Sequence, residues 1–258
     1  MSIKYHTELL QGSEEWMQAR LGILTASEMK LIITPGKLAY ASNDKSRSHL
    51  YEIAAQRISQ YVEPSYISDD MLRGQNEEMD AKEVYGKHYA KTKDCGFITN
   101  DAWGFTLGYS PDALVGKDGL IECKSRRQKY QIETIISGEV PAEYMVQIQT
   151  GLLVSERKWL DFISYSGGLP MFVKRVEHDE IMQAAIISAA TAFHEQLAGI
   201  LTKYGEAAEH LHMTERKIYD DIITGSIGAS VPDSKELRLF DKDAIGSKEA
   251  FLFGRVEK

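Results

Sequence analysis

Hydrophobic and polar positions follow two different periods along this chain. In several stretches apolar residues recur every three or four positions, as they do along one face of an α-helix. The clearest case is 48–61, where Leu50, Ile53, Ala54 and Ile58 keep that spacing. Similar patterns, ended by capping or helix-breaking residues, predict further helices at 13–20, 70–90, 142–154 and 178–203.

Between about residues 95 and 176 the pattern changes to short runs of apolar, aromatic and β-branched residues, which are typical of strands. Strands are predicted at 95–100, 103–110, 120–124, 158–165 and 171–176. A glycine-containing turn at 116–119 separates two of them. Helices precede the strands, one helix lies between them and another helix follows. This order predicts an α/β domain with a mixed central β-sheet flanked by helices.

The last part of the chain has a different character. After one more helical stretch, 212–258 is rich in turn-forming residues and holds two short apolar runs, at 236–240 and 250–253. We expect residues 1–211 to form a single domain. The segment 212–258 is then a C-terminal extension of unknown role, with a partner or oligomer contact as one interpretation.

Composition narrows the setting in which the protein is expected to work. Two cysteines, Cys95 and Cys123, do not make a disulfide framework, which favours a reducing cytoplasm and argues against a four-cysteine iron–sulfur cluster. No apolar signal segment is visible and no apolar run approaches the length of a membrane span, so a soluble intracellular protein is expected. The net charge of −8 is mild evidence against a nucleic-acid partner, since phosphate binding usually accompanies a basic excess.

One predicted strand and the residues before it carry the candidate chemistry. Because side chains alternate along a strand, Glu122 and Lys124 should face one way, while Ile121 and Cys123 face an apolar side. Asp112 ends the preceding predicted strand, and the intervening turn could bring it beside Glu122. The spacing therefore predicts two carboxylates and one amine on the same surface.

Two carboxylates and a main-chain carbonyl, with that of Cys123 as the candidate, offer the hard oxygen ligands that Mg²⁺ prefers. A metal ion lowers the pKa of a bound water so that it can attack phosphorus, and a neighbouring lysine stabilises the charge that develops. The spacing alone is a weak signal, and a surface hairpin with one Glu–Lys pair is the alternative. The apolar setting of 120–124 favours a functional site, because charges near a core are costly.

Ser-Pro-Asp at 110–112, followed by Glu-Cys-Lys at 122–124, resembles the core motif of the PD-(D/E)XK nucleases. Three further stretches make the chain similar to the phage lambda exonuclease family, the YqaJ-like viral recombinases. They are Gly-Ser-Glu-Glu-Trp at 12–16 with Arg-Leu-Gly at 20–22 and Thr-Ala-Ser at 25–27, Gly-Gln-Asn-Glu-Glu-Met-Asp-Ala at 74–81, and Tyr-Met-Val-Gln-Ile-Gln at 144–149. The resemblance spans about residues 10–165 and implies a restriction-endonuclease-like core.

The resemblance implies a role for each matching residue. The implied catalytic residues are Lys124, Glu122, Asp112 and Gln147. The implied metal ligands are Asp112, Glu122, the main-chain carbonyl of Cys123, and Glu78. Glu77 is the rival of Glu78, which is preferred for its four-residue distance from Gly74. The implied cofactor is Mg²⁺, with Mn²⁺ able to replace it and two ions expected per site.

A second implied feature is a pocket for a 5′-terminal phosphate, formed by Arg20, Ser27 and Ser110. Thr25 and Glu28 have the spacing of a capping box, which predicts that Ser27 lies in the first turn of a helix. Backbone N–H groups at a helix N-terminus bind anions, and an arginine nearby can grip a phosphate with two N–H groups.

Structural explanations compete with these roles. Arg20 could form a surface ion pair with Glu14 or Glu15, and Trp16 is interpreted as a core anchor for the first helix. For Glu78 and Gln147 the alternative is a solvated helix face.

The activity that the resemblance implies is digestion of the 5′-ended strand of duplex DNA, with mononucleotides and a 3′ overhang as products. It also implies a ring-shaped homotrimer, a single-strand annealing protein as partner, and a recombination role in the cytoplasm of a phage-carrying or bacterial cell. A ring would reconcile the acidic net charge with DNA binding, because basic residues need line only its channel. An endonuclease on the same core and a DNA-end-binding module are the alternatives.

Overall fold

The computed structural model describes residues 2–34, 36–63 and 69–216. The helices in these ranges are α1 (Glu14–Arg20), α2 (Met29–Ile32), α3 (Asp44–Ser59), α4 (Asp69–His88), α5 (Gln128–Ser137), α6 (Ala142–Ser155) and α7 (Glu180–Ala208). The strands are β1 (Ile3–His6), β2 (Leu24–Thr25), β3 (Ile33–Thr34), β4 (Ala39–Tyr40), β5 (Thr92–Lys93), β6 (Phe97–Asn100), β7 (Leu107–Tyr109), β8 (Ala113–Val115), β9 (Gly119–Ser125), β10 (Trp159–Tyr165) and β11 (Phe172–Glu177).

The strands form two larger sheets and one small hairpin, β3–β4. The first sheet has the order β11-β10-β9-β8-β5, and the second has the order β1-β6-β7-β2. In the first sheet β9 and β10 run parallel, joined by α5 and α6, while the other neighbouring strands are antiparallel. Helices α4, α5 and α6 pack on this sheet. The predicted mixed α/β sheet flanked by helices is therefore confirmed.

The strand that precedes the candidate carboxylate differs from the prediction. Residues predicted as strands at 95–100 and 103–110 form β6 and β7 of the second sheet. Pro111 lies between β7 and β8, and a proline has no N–H with which to continue a ladder. Asp112 therefore does not end the preceding strand. It stands directly before β8, which is the antiparallel neighbour of β9.

Helix α5 was not expected from the sequence, and its burial explains why. Its buried residues are the polar Gln131 and Thr134. Gln131 donates to the carbonyl oxygens of Ser164 and Pro170 and accepts from the Ser164 hydroxyl. Its large apolar side chains are exposed: Tyr130, Ile132, Ile135 and Ile136. A helix that buries polar groups and exposes apolar ones does not show the usual amphipathic pattern.

The core around the candidate site lies between α4 and the first sheet. One cluster of buried residues consists of Ala81, Tyr85, Ala113, Val115, Ile121, Cys123 and Ile163. Ile121 and Cys123 thus face apolar neighbours, as the alternation along the strand predicted. The hairpin before them turns at Gly116, whose φ of +54° lies in the left-handed region that glycine adopts at little cost.

Helix α7 is long and apolar enough to cross a membrane by length and composition, which the sequence pattern had not suggested. No other described helix passes that test. A core helix of a soluble protein passes it equally well, so one such helix is weak evidence for a membrane. Five residues of α7 are almost fully buried: Ile186, Ala189, Ala190, Phe193 and Leu197.

The chain divides into two compact units, Met1–Leu197 and Ala198–Lys258. The first holds both sheets and every residue of the site below. The predicted extension 212–258 lies outside the described residues from 217 onward, and its role stays a prediction. Both cysteines are free and buried.

Candidate active site

The hairpin of β8 and β9 brings Asp112 beside Glu122. The Asp112 N–H donates to the carbonyl oxygen of Ile121 at 3.3 Å, and the Cys123 N–H donates to Asp112 Oδ2. Asp112 is 8 % exposed and Glu122 only 2 %. Two carboxylates are thus held at the edge of the core, an arrangement that needs compensating groups.

Glu122 is compensated by donors from three elements. Lys124 Nζ lies 2.7 Å from Oε1, and Nε2 of Gln147 on α6 donates to the same oxygen. The Tyr109 hydroxyl, from β7, donates to Oε2 at 2.9 Å. The sequence predicted Lys124 and Gln147 beside Glu122, and the structure brings all three together.

Tyr109 was not predicted as a site residue, because its contact with Glu122 joins two different sheets. It is fully buried, and a Cβ at Gly151 of α6 would come within 2.8 Å of its ring. The missing side chain at Gly151 therefore lets the ring lie against α6, with its hydroxyl on Glu122. Burial, and then the charges of Glu122 and Asp112, raise the pKa of Tyr109, so the hydroxyl stays a donor.

Lys124 is a partly buried cation whose neighbours keep it charged. Burial acts to lower the pKa of Lys124, but the charges of Glu122 and Asp112 outweigh it, so the pKa lies above its ordinary value. Its Nζ also lies 5.6 Å from the ring centroid of Tyr144. Lys124 therefore offers a positive charge and N–H donors rather than a base.

The structure separates Glu78 from its rival Glu77. Glu78 lies within electrostatic range of Asp112 and Glu122: burial first, and then the charge of Glu122, raises the pKa of Glu78 against the opposing charge of Lys82. Glu77 lies elsewhere: it accepts from the Ser125 hydroxyl, and from the Gly167 N–H at 3.4 Å. Glu78 is therefore the glutamate of α4 that belongs to the carboxylate group.

Three carboxylates thus approach one another, with the Lys124 ammonium among them and the Lys82 ammonium close enough to act on Glu78. Burial, followed by the charges of Glu122 and Glu78, raises the pKa of Asp112 well above its ordinary value. Carboxylates this close together repel one another, and a bound divalent cation would offset that repulsion. Within the described ranges, however, no group of three histidine, cysteine or acidic residues is spaced as a ready metal site. The Lys124 and Gln147 side chains donate to Glu122 Oε1 instead, and the Cys123 N–H donates to Asp112 Oδ2. The carboxylate oxygens are of the type that a hard cation prefers, and Glu122 Oε1 becomes free to bind one once Lys124 and Gln147 turn away.

Arg20 stands in a second cluster that contains all three residues predicted for the phosphate pocket. Its Nη1 donates to Ser110 Oγ at 2.9 Å, and its Nη2 to Thr25 Oγ1 at 3.4 Å. Ser27 Oγ lies 3.3 Å from the same Thr25 oxygen. In the described part of the chain, Arg20 turns to these hydroxyls rather than to Glu14 or Glu15.

The helix predicted at this pocket begins later in the chain than expected. Thr25 ends β2, Ser27 lies in a turn, and the four-residue α2 begins only at Met29. Glu28 is the N-cap residue of α2, but its side chain makes no capping hydrogen bond to the helix. The Glu28 carboxylate instead accepts from the Thr25 hydroxyl and from the Thr25 N–H. Ser27 therefore does not lie in the first turn of a helix, contrary to the prediction, and the pocket consists of side chains.

Trp16 does more than anchor α1. Its Nε1 lies within hydrogen-bond distance of Ser110 Oγ (3.1 Å) and of the Gly96 carbonyl (2.9 Å). The Arg20 guanidinium carbon lies 4.3 Å from its ring centroid, a cation–π distance. Trp16 thus forms one wall of the cluster, a contact that a local sequence pattern does not reveal.

A cleft of about 710 Å³ opens at Ser125 and Arg126, which follow Lys124 along the chain. Its lining includes the cationic residues Arg73, Arg126 and Arg127, the aromatic residues Tyr130 and Tyr144, and the acidic residues Glu133, Glu139 and Glu143. The Arg126 guanidinium carbon lies 5.2 and 5.4 Å from the centroids of the two tyrosine rings, and its Nη1 lies 2.6 Å from Glu143 Oε1. Cations interleaved with aromatic rings are typical of surfaces that bind nucleic-acid strands.

Comparison with known proteins agrees with this geometry. The fold is that of the PD-(D/E)XK-like nucleases. The chain belongs to the family described as the YqaJ-like viral recombinase domain, whose family model matches residues 15–158. No protein of curated function matches it by sequence.

Among solved structures, the chain is similar to the alkaline exonuclease LHK-Exo from Laribacter hongkongensis. The two are 31 % identical over 78 % of this chain and 100 % of LHK-Exo, with a TM-score of 0.68. The structure of LHK-Exo in complex with dAMP matches with the same identity and coverage and a TM-score of 0.69.

Proposed function

We propose that this protein is a Mg²⁺-dependent exonuclease that degrades the 5′-ended strand of duplex DNA. Its products would be mononucleotides and 3′ single-stranded overhangs that serve recombination. One observation carries the proposal: Ser110 contacts Arg20, and Asp112, only two residues further, belongs to the carboxylate group. Two residues of chain span at most about 7 Å. A pocket for a terminal phosphate would therefore lie about one nucleotide from the site of cleavage.

The carboxylate site supplies the groups that phosphodiester hydrolysis requires. Glu78, Asp112, Glu122 and the Cys123 carbonyl would hold Mg²⁺, with Mn²⁺ able to replace it and two ions per site. The cation would lower the pKa of a bound water and offset the charge that develops on the phosphate.

The hydrogen-bond donors of the protein would contact the water and the phosphate and orient Glu122. Lys124 would direct its N–H groups at the attacking water and the phosphate oxygens, and Gln147 would contact the same groups. The Tyr109 hydroxyl would hold Glu122 by its other oxygen while Lys124 and Gln147 turn to the substrate.

The pocket would explain why digestion begins at a 5′ end. Arg20 presents two nitrogens, each held by a neutral hydroxyl, and Ser27 and Ser110 add O–H groups that can turn to a phosphate. LHK-Exo has been solved in complex with dAMP, a nucleoside monophosphate, which supports a mononucleotide product for this chain as well. The remaining strand would leave along the cleft lined by Arg126, Tyr130 and Tyr144.

Family membership supports the rest of the proposal by analogy. We expect a ring-shaped homotrimer that acts in the cytoplasm of a phage-carrying or bacterial cell. A single-strand annealing protein would be its partner, and light scattering should report about three chains per particle.

A single digestion experiment tests the proposed activity. Duplex DNA labelled at the 5′ or the 3′ end and a covalently closed circle are each incubated with Mg²⁺ or EDTA. We expect early release of 5′-labelled mononucleotide with Mg²⁺ only, and an intact circle. Cleavage of the circle as fast as of linear duplex would indicate an endonuclease. Tight end binding without cleavage would indicate an end-binding module.

A further inference from the structure

Glu28 controls the direction in which the Thr25 hydroxyl donates. Glu28 Oε2 accepts from the Thr25 hydroxyl at 2.7 Å and from the Thr25 N–H at 3.0 Å. A carboxylate can only accept, so the one hydroxyl proton of Thr25 is directed to Glu28. Thr25 Oγ1 is left as an acceptor for its other neighbours, Arg20 Nη2 and Ser27 Oγ.

This arrangement holds Arg20 without neutralising it at contact distance. Both of its terminal nitrogens rest on neutral hydroxyl oxygens, those of Ser110 and Thr25, and its face rests on Trp16. The charge of Glu28 lies one hydroxyl group away. Burial lowers the pKa of Arg20, and the Glu28 charge opposes that effect. A carboxylate in direct contact would instead compete with an incoming anion for the same N–H groups.

We propose that Glu28 is a positioning residue that, acting through Thr25, sets the orientation of Arg20 for a 5′-terminal phosphate. The inference rests on the phosphate pocket of the proposed function. Glu28 itself does not touch the phosphate. It fixes Thr25 Oγ1 as an acceptor, and this acceptor fixes the plane of the guanidinium.

Helix α3 lies on the opposite side of Glu28 from Thr25. His49, almost fully buried, has its Nε2 3.8 Å from Glu28 Oε2 and its Nδ1 3.1 Å from Glu52 Oε2. Its Nε2 has no hydrogen-bond partner. The Glu28 side chain, 29 % exposed, therefore lies between the Thr25 loop and the buried face of α3, and its carboxylate is hydrogen-bonded on the Thr25 side.

The test compares two substitutions of Glu28 on two substrates. Glu28→Gln keeps an oxygen that can accept from Thr25, whereas Glu28→Ala removes it. The full chain digests the same duplex with a 5′-phosphate or a 5′-hydroxyl, and KM and kcat are measured for each end. For Glu28→Ala we expect the KM for phosphorylated ends to rise about tenfold with kcat and the 5′-hydroxyl kinetics unchanged. For Glu28→Gln we expect values within about twofold of wild type.

The controls separate this inference from the function on which it rests. Glu8→Ala removes an exposed glutamate paired with His6 and should leave both substrates unaffected. The positioning role alone would be overturned if Glu28→Ala raised KM equally for 5′-phosphate and 5′-hydroxyl ends. It would also be overturned if Glu28→Gln lost as much of the preference for 5′-phosphate as Glu28→Ala. A wild-type protein that digests both ends equally would overturn the phosphate pocket and the proposed polarity. Calorimetric titration with dAMP and with deoxyadenosine gives a second readout, in which only the dAMP affinity should fall in Glu28→Ala.

Discussion

Lys124 and Glu122 form an ion pair at the edge of the core, with Nζ 2.7 Å from Oε1 and side-chain exposures of 25 % and 3 %. They stand two positions apart on β9, so the pleat places both on one face. The opposite face carries Ile121 and Cys123 against α4. A strand that buries apolar groups on one side can thus hold charged groups rigidly on the other.

Removal of the Lys124 ammonium should abolish most of the activity while leaving the fold intact. In Lys124→Ala, Glu122 keeps the Gln147 and Tyr109 donors, so the carboxylate is not left unpaired. We expect kcat for duplex digestion to fall about 10²–10³-fold, the usual effect of losing one transition-state donor. Lys158→Ala is the matched control, since Lys158 pairs with Asp118 in solvent at the other end of the strand. Undiminished digestion by Lys124→Ala would show that the active site lies elsewhere.

The two adjacent glutamates of α4 should behave differently. Glu78→Gln removes a carboxylate from the group around Asp112, so the Mg²⁺ or Mn²⁺ concentration needed for half-maximal digestion should rise at least about tenfold. Glu77→Gln changes contacts with Ser125, Gly167 and Arg73 and should shift that concentration by less than about threefold. Titration of both variants with each metal makes the comparison. The reverse order of effects would assign the metal to Glu77.

Local periodicity predicted the part of the site that lies on one strand. Alternation placed Glu122 and Lys124 together, and a hairpin brought Asp112 to them. Residues 74–81 suggested Glu78, but the helix alone could not exclude Glu77. That choice depends on how α4 is turned against β9, which is a tertiary property.

Contacts between distant segments could not be predicted in the same way. Tyr109 reaches Glu122 only because Gly151 leaves room for its ring. The capping-box spacing of Thr25 and Glu28 was recognised, and the Glu28 carboxylate does accept from the Thr25 N–H. The Thr25 hydroxyl, however, donates to Glu28 instead of capping a helix, and so shapes the pocket. Helix α5 escaped notice because it buries polar side chains. Each case depends on a partner that the local sequence does not contain.

Arg20 should be required for the distinction between 5′ ends. We expect Arg20→Ala to digest phosphorylated and hydroxyl ends at nearly equal rates, because the bidentate charged donor is lost. Arg20→Lys keeps the charge but not the fork and should retain only part of the preference. Initial rates on the two duplexes measure the effect. A full preference for 5′-phosphate in Arg20→Ala would assign the phosphate to other residues.

Arg126 should contribute to binding of the strand beyond the cut. If its guanidinium contacts one phosphate, Arg126→Gln should lower the slope of log K against log salt by about 1. Binding of duplex to the full chain is measured in Ca²⁺ to suppress cleavage, between low and moderate salt. Lys158→Gln removes an exposed cation outside the cleft and should keep the wild-type slope. An unchanged slope in Arg126→Gln would place the strand elsewhere.

His194 should make the protein sensitive to mild acid. Burial first, and then the charge of Arg57, lower the pKa of His194 from 6.5 to about 3. Its ring stacks on Phe105 at 4.4 Å between centroids, and its Nε2 has no hydrogen-bond partner. Below pH 6.5 His194 is protonated in the unfolded chain but stays neutral in the folded chain. The free energy of unfolding therefore falls as the pH drops towards about 3. From pH 7 to pH 5 this group alone should remove about 2 kcal/mol from the free energy of unfolding.

Replacement of His194 by phenylalanine isolates that contribution, since it keeps the ring stack and removes the titrating group. Urea unfolding at pH 7 and pH 5 should show that His194→Phe loses about 2 kcal/mol less than wild type between the two values. His88→Gln, which changes an exposed histidine, should lose as much as wild type. Equal losses in wild type and His194→Phe would mean that His194 titrates alike in the folded and unfolded chains, and that its burial does not exclude the proton.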